Sequence, residues 1–122
     1  THSIFVPSLL EQFLDELDGG DLPMLQLIIA CGEVLTANHA RACSSGLPGA
    51  ELVNLYGPTE GSMTMLRYSC QPTVKDLLRC PIGKPIENTV LLCTESPPPL
   101  LEPSLVLAKG ELLFGGPLIA TG

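Results

Sequence analysis

The chain reads as an α/β protein: a parallel strand-helix-strand-helix-strand unit over residues 1–62, then a mostly antiparallel, β-rich part over residues 63–122. Three observations predict this. The first half alternates short strand-like runs with segments of helical periodicity. The run from Leu25 to Cys31 is apolar apart from Gln26, as expected of a strand buried on both faces of a parallel sheet. Past Gly61, strand-like segments follow one another with no helical pattern between them. With 45% apolar residues among 122, there is enough material for a core.

The elements follow in order. Ser3 to Val6 is short, β-branched and aromatic, a strand closed by Pro7. Ser8-Leu9-Leu10-Glu11 has the spacing of a capping box, in which a hydroxyl and a carboxylate satisfy free backbone N–H groups. The helix it starts places Leu9, Leu10, Phe13, Leu14 and Leu17 on one face, puts Glu11, Gln12, Asp15 and Glu16 on the other, and ends at Asp18-Gly19-Gly20. The strand Leu25 to Cys31 ends at Gly32-Glu33. Thr36 caps a second helix carrying Ala37, Ala40, Arg41 and Cys43, which dies in Ser44-Ser45-Gly46. Leu52 to Tyr56 is the third strand, and the short connections argue for right-handed crossovers. Met63 to Cys70, Thr89 to Cys93 and Glu111 to Phe114 are further strand candidates, with a turn-rich Pro81 to Pro85 between. Ser96-Pro97-Pro98-Pro99 and Pro103 mark an exposed loop, because proline cannot donate to a ladder.

Charge and composition remove several classes of function. Six basic against thirteen acidic residues give a net charge of −7, which argues against nucleic acid or an anionic membrane as partner. No apolar run approaches the roughly 18 residues of a membrane-spanning helix, and no signal peptide opens the chain, so a cytoplasmic address is expected. Five cysteines without a C-x-x-C pair argue against zinc and against a disulfide framework; small buried thiols in a reducing compartment are the better reading. His39 reads as a surface residue of the second helix.

The chemistry concentrates where strands end. In open parallel sheets, ligands sit outside the carboxyl ends of the strands, and two strands end there in Cys31-Gly32-Glu33 and Tyr56-Gly57-Pro58-Thr59-Glu60. Gly32 and Gly57 permit close approach and unusual dihedrals, and Pro58 fixes the turn. Thr59 offers a hydroxyl to a phosphate oxygen, Glu60 suits a hard divalent cation, and Tyr56 presents an aromatic face. Taken alone, these residues are better read as a tight turn facing water.

A resemblance changes that balance. Asn54-Leu55-Tyr56-Gly57-Pro58-Thr59-Glu60 resembles the N-x-Y-G-P-T-E motif of adenylate-forming enzymes, specifically the amino-acid adenylation domains of nonribosomal peptide synthetases. Phe5-Val6-Pro7-Ser8 is similar to their F-V-P-S helix entry, and Cys31-Gly32-Glu33-Val34-Leu35 to their G-G-E-x-L, with Cys31 in place of the first glycine. Pro81 to Thr89 is similar to P-I-G-x-P-I-x-N-T, and Gly110 to Gly116 to G-E-L-x-x-x-G; in the tail, Thr121 stands where the usual pattern has arginine. The resemblance implies part of the large N-terminal domain of an adenylate-forming enzyme. It implies that Asn54 and Tyr56 contact adenine, that Gly32, Glu33 and Gly57 border the nucleotide, that Thr59 binds the α-phosphate and that Glu60 holds magnesium. Thr59 and Glu60 are then the catalytic pair, while Phe5, Ile29, Cys31, Leu55, Met63 and Thr64 shape the side-chain pocket.

The implied reaction activates an amino acid, or a related carboxylic acid, with ATP and Mg2+ to an acyl adenylate. The acyl group then passes to the phosphopantetheine thiol of a partner carrier domain, beside condensation domains of the same assembly line. Both ends read as cut, and the phosphate loop, the Y-x-T-G-D segment, the small domain with its lysine and the upstream substrate-anchoring aspartate of this family are missing. The expectation is therefore an incomplete fragment, inactive by itself, that carries one wall of the site. The alternatives are an acyl-CoA ligase or aminoadipate-reductase-like enzyme, and a non-catalytic scaffold remnant.

Overall fold

A computed structural model describes residues 1–17, 22–71, 78–94 and 110–120. The expected helix stop at Asp18-Gly19-Gly20, the proline-rich loop and Thr121 lie outside the described residues. Strands β1 (His2–Phe5), β2 (Leu27–Ala30) and β3 (Glu51–Tyr56) alternate with helices α1 (Pro7–Glu16) and α2 (Ala37–Gly46). They pair in parallel, with Ile4 opposite Ile29 and Ile29 opposite Val53. This is the strand-helix-strand-helix-strand unit the sequence predicts.

The second half divides. Strand β4 (Leu66–Cys70) runs antiparallel beside β3, and the two-residue β5 (Lys84–Pro85) beside β4, so the first sheet has five strands in the order β1-β2-β3-β4-β5. Strands β6 (Val90–Thr94) and β7 (Glu111–Gly115) form a separate antiparallel ribbon, with Leu92 opposite Leu113. The motif-bearing strand β3 therefore lies in mid-sheet, bonded on both sides. Strand β4 begins at Leu66 rather than Met63 because Ser62 and Met63 are left-handed, with φ of 54° and 70°, a conformation no strand accepts.

The core lies between this sheet and both helices. Alternate strand residues Ile28, Ala30, Leu52 and Cys70 meet Leu10 of α1 and Ala40 and Cys43 of α2. Leu10 and Ile28 are fully buried, and each such side chain contributes about 1.5–3 kcal/mol relative to leaving it in water. On the expected apolar face of α1, Leu9 remains 50% exposed, whereas Phe13, Leu14 and Leu17 pack partly against the core.

The two helix starts differ from each other. Thr36 caps α2 as the sequence suggests: its Oγ1 accepts the His39 N–H at 3.3 Å, and the His39 ring returns a bond to the Thr36 N–H at 3.1 Å. His39 is accordingly no surface residue, since its side chain is 14% exposed and lies 3.9 Å from Glu11 of α1. The Ser8–Glu11 capping box does not form. Val6 is the N-cap of α1 and Pro7 occupies the first helical position, where its missing N–H costs nothing. Ser8, one position further in, turns its polar groups to a distant partner, Glu33.

Candidate active site

A cleft of about 540 Å3 opens at the carboxyl ends of β2 and β3. That is where a doubly wound sheet places its ligands, and the size falls within the range of small-molecule sites. Three chain segments build it: the β2–α2 loop from Cys31 to Leu35, the end of β3 with the turn after it, and the stretch Arg79 to Ile82.

The third segment is held by backbone and side-chain bonds that the sequence pattern does not reveal. Thr36 and Arg79 form an antiparallel bridge, and the Cys80 N–H donates to the Leu35 carbonyl at 2.8 Å. Asn54 does the rest. The residue is 5% exposed, and its Nδ2 donates to the Pro81 carbonyl at 2.8 Å, so a buried polar group is satisfied and two walls are joined at once.

Most of the residues singled out in the sequence line this cleft: Gly32, Glu33, Asn54, Tyr56, Gly57 and Thr59 from the nucleotide set, and Cys31, Leu55 and Met63 from the pocket set. Tyr56 is 41% exposed and tilts against Phe114 of β7, ring centroids 6.1 Å apart. Glu33 belongs to the wall, but its carboxylate is engaged: Oε2 accepts the Ser8 N–H at 3.0 Å and Oε1 the Ser8 hydroxyl at 3.1 Å. Glu60 is outside the wall proper, exposed in a short 3-10 turn, Thr59–Gly61, directly beside Thr59. Three pocket candidates lie elsewhere. Phe5 faces the helices and stacks on Phe13, centroids 4.9 Å apart; Ile29 sits between Ile4 and Val53 on the opposite sheet face from the helices; Thr64 is half-buried beyond the turn.

The turn itself is tightly constrained. An added Cβ at Gly57 would sit 2.8 Å from the Met63 carbonyl oxygen and 2.9 Å from the Met65 nitrogen, so only glycine lets the chain double back there. The stretch after β7 clamps the turn from outside: the Ala120 N–H donates to the Glu60 carbonyl at 2.7 Å, and the Ser62 hydroxyl to the Leu118 carbonyl at 3.0 Å.

Sequence reasoning gave no role to Val34, Leu35, Arg79, Cys80 and Ile82, all of which contribute to the wall. For Val34, Leu35 and Ile82 a signal existed, because they belong to the quoted G-G-E-x-L and P-I-G-x-P-I stretches. Arg79 and Cys80 precede the second stretch and carried none. All five cysteines are free. Burial pushes the Cys43 thiol up to about 11 and, with the neighbouring Cys80, the Cys70 thiol up to about 12; burial raises Cys80 as well. These are neutral packing groups at physiological pH. No helix among the described residues is long and apolar enough to cross a membrane.

Comparison with known proteins agrees with this geometry. The model of the family described as AMP-binding enzyme matches residues 1–122. Indigoidine synthase of Dickeya dadantii is 36% identical over 121 residues, which is 96% of this chain but only 8% of that protein. Among solved structures, the protein PA1221, a nonribosomal peptide synthetase protein containing adenylation and PCP domains, has a TM-score of 0.81 at 28% identity, covering 99% of this chain and 24% of its own. The AMPPNP-bound form of the synthetase FmoA3 has a TM-score of 0.84 at 26% identity, covering 100% of this chain and 13% of its own. The matches do not favour the acyl-CoA ligase or aminoadipate-reductase-like alternatives. With its motifs in family order, its α/β architecture and a family match from first residue to last, this chain belongs to the AMP-binding enzyme family, as adenylation-domain sequence of the nonribosomal peptide synthetase kind.

Proposed function

We propose that the protein containing this chain activates an amino acid, or a related carboxylic acid, with ATP and passes the acyl group to the phosphopantetheine thiol of a carrier domain. One observation carries the reading: Thr59 and Glu60 stand side by side and exposed at the mouth of a cleft walled by Asn54 and Tyr56, at the carboxyl ends of parallel strands.

The residues present fit a magnesium-bound triphosphate. One exposed carboxylate beside one exposed hydroxyl is a donor set that a hard divalent cation shares with phosphate oxygens and water. Among the described residues no cluster of three or more His, Cys, Asp or Glu side chains forms a self-sufficient metal site, which suits a cation held jointly with the substrate. When bound, the cation offsets the charge of the phosphoryl oxygens.

The chain's own residues supply positioning and hydrogen bonding. Thr59 donates its hydroxyl to the α-phosphate, and Glu60 is the residue that would hold the cation from the adjacent position. Tyr56 and Asn54 present a ring face and a fixed amide beside the base, while Gly32 and Gly57 let it approach backbone. Cys31, Leu55 and Met63 belong to the acid-binding side of the same cleft; Phe5, Ile29 and Thr64, lying away from it, lend that role no support. Holding two reactants in line and neutralising charge is most of what phosphoryl transfer asks of a protein. The free thiols suit a cytoplasmic synthetase, with carrier and condensation domains as partners. The 122-residue stretch alone, with one wall of the site, does not turn over ATP.

Amino-acid-dependent exchange of pyrophosphate into ATP by the full-length protein tests this. Exchange is expected with at least one amino acid, and Glu60→Ala is expected to lower it by orders of magnitude. Full exchange in that variant, or none with any acid in the parent protein, overturns the proposal.

A further inference from the structure

The β2–α2 loop supplies much of the cleft wall, yet its own residues give it little reason to stay in place. Gly32 is left-handed, with φ of 85°, and Gly32, Glu33 and Val34 are all exposed. What fixes the loop comes from outside it. At its far end, the Leu35 carbonyl accepts the Cys80 N–H, and Thr36 starts α2 with its reciprocal cap. At its near end, Cys31 is bonded through its N–H to the Phe5 carbonyl at 3.1 Å. Between these anchors the one side-chain bond the loop makes among the described residues is that of Glu33, whose two carboxylate oxygens take the backbone N–H and the hydroxyl of Ser8 at 3.0 and 3.1 Å.

We propose that Glu33 is a positioning residue for the cleft: by bonding bidentately to Ser8 it ties the β2–α2 loop to the first turn of α1, and it shapes the nucleotide site through that tie rather than by touching the nucleotide. This rests on the adenylation reading above for the identity of the ligand, and it alters the role the resemblance suggests for Glu33.

The chemistry favours the tie on three counts. A carboxylate accepting a backbone N–H from the first turn of a helix is a charge-assisted bond at the positive end of the helix dipole. Ser8, at the second helical position, has an N–H with no intrahelical acceptor, and α1 has no side-chain cap of its own to supply one. The loop also lies against the same helix start, since a Cβ built on Gly32 would rest 3.5 Å from Val6 Cγ1, at the N-cap of α1. A carboxylate facing a triphosphate would instead meet repulsion, which Glu60 avoids only by sharing a cation.

The test is a double-mutant cycle in the full-length protein, read as the ATP KM and kcat of pyrophosphate exchange. Glu33→Ala should raise the ATP KM about tenfold and leave kcat within about twofold, the loss of one or two exposed charge-assisted bonds. Ser8→Ala should raise it less, and should add nothing in the Glu33→Ala background, because both changes cut the same tie. Glu33→Gln should recover most of the affinity, since its amide oxygen still accepts the Ser8 N–H. If the two alanine effects multiply, or if Glu33→Gln is as poor as Glu33→Ala, Glu33 acts on the ligand directly and the inference is wrong. Hydrogen exchange at the Ser8 amide gives a readout independent of turnover. Lost protection in Glu33→Ala supports the tie even where the parent protein shows no exchange activity, which would sink the adenylation reading instead. Unchanged protection overturns the tie. If Glu33→Ala does not fold, Ser8→Ala and Glu33→Gln complete the same cycle.

Discussion

Replacing Gly57 by alanine should damage the site far more than its one methyl group suggests. The new carbon would stand 2.8 Å from the Met63 carbonyl oxygen, against an ordinary contact of 3.4 Å or more, so about 0.6 Å must be found by moving backbone. Nothing flexible lies in the way to yield, because the nearest atoms all belong to the main chain of residues 63 and 65. Overpacking of this kind costs about 1–3 kcal/mol. The strain falls on the connection that carries Thr59, and a displacement approaching an ångström at a reacting group lowers turnover by up to about a hundredfold. Gly49 is the control: a Cβ there meets nothing within 4 Å. Gly49→Ala should be neutral or stabilise by about 0.4–1 kcal/mol through the unfolded chain. The assay compares thermal midpoints and ATP-dependent pyrophosphate exchange of the two variants in the full-length protein. If Gly57→Ala matches Gly49→Ala on both measures, the doubled-back turn does not control the site as argued.

Two further outcomes follow from the wall and the core. Asn54→Leu keeps the volume but strips the Pro81 carbonyl of its donor, so it should cost about 1–3 kcal/mol and raise the ATP KM; an unchanged melting temperature would mean that Asn54 does not hold the Arg79–Ile82 segment. Stability should also fall as pH rises from about 9 towards about 11, because the unfolded chain releases its thiol protons near 9.0 while burial keeps Cys43 protonated to about 11 and Cys70 to about 12. Urea midpoints measured across that range check this, and Cys43→Ala should flatten the slope.

The first half of the fold was legible because local signals agree there. The apolar run Leu25 to Cys31 contains strand β2, which at Leu27–Ala30 is shorter than the run, and Thr36 announced its helix correctly. Ser8 misled because its spacing to Glu11 fits a box, while Pro7 claims the first helical position and a carboxylate twenty-five residues away offers a better partner. The joining of β4 to the parallel sheet was also hidden. Antiparallel pairing with β3 depends on Gly57 and two left-handed residues reversing the chain, and nothing in a strand's own pattern names its neighbour.

The site followed the same division. Tyr56, Gly57 and Thr59 lie within four residues of one quoted motif and all line the cleft, whereas Arg79 and Cys80 reach it only through the bridge to Thr36 and the bond to Leu35. Phe5 shows the converse: the resemblance places it in the pocket, whereas the pleat turns it towards Phe13.

The clamp from Leu118 and Ala120 onto Ser62 and Glu60 joins parts of the chain 56 residues and more apart, about half of its length. During synthesis, a ribosome that has released β1 to β5 has exposed the whole signature turn but none of the bonds that lock it from outside. The turn is therefore locked late, once the last of these residues has left the exit tunnel, and a growing polypeptide passes through a stage with the first sheet laid down and its signature turn still loose.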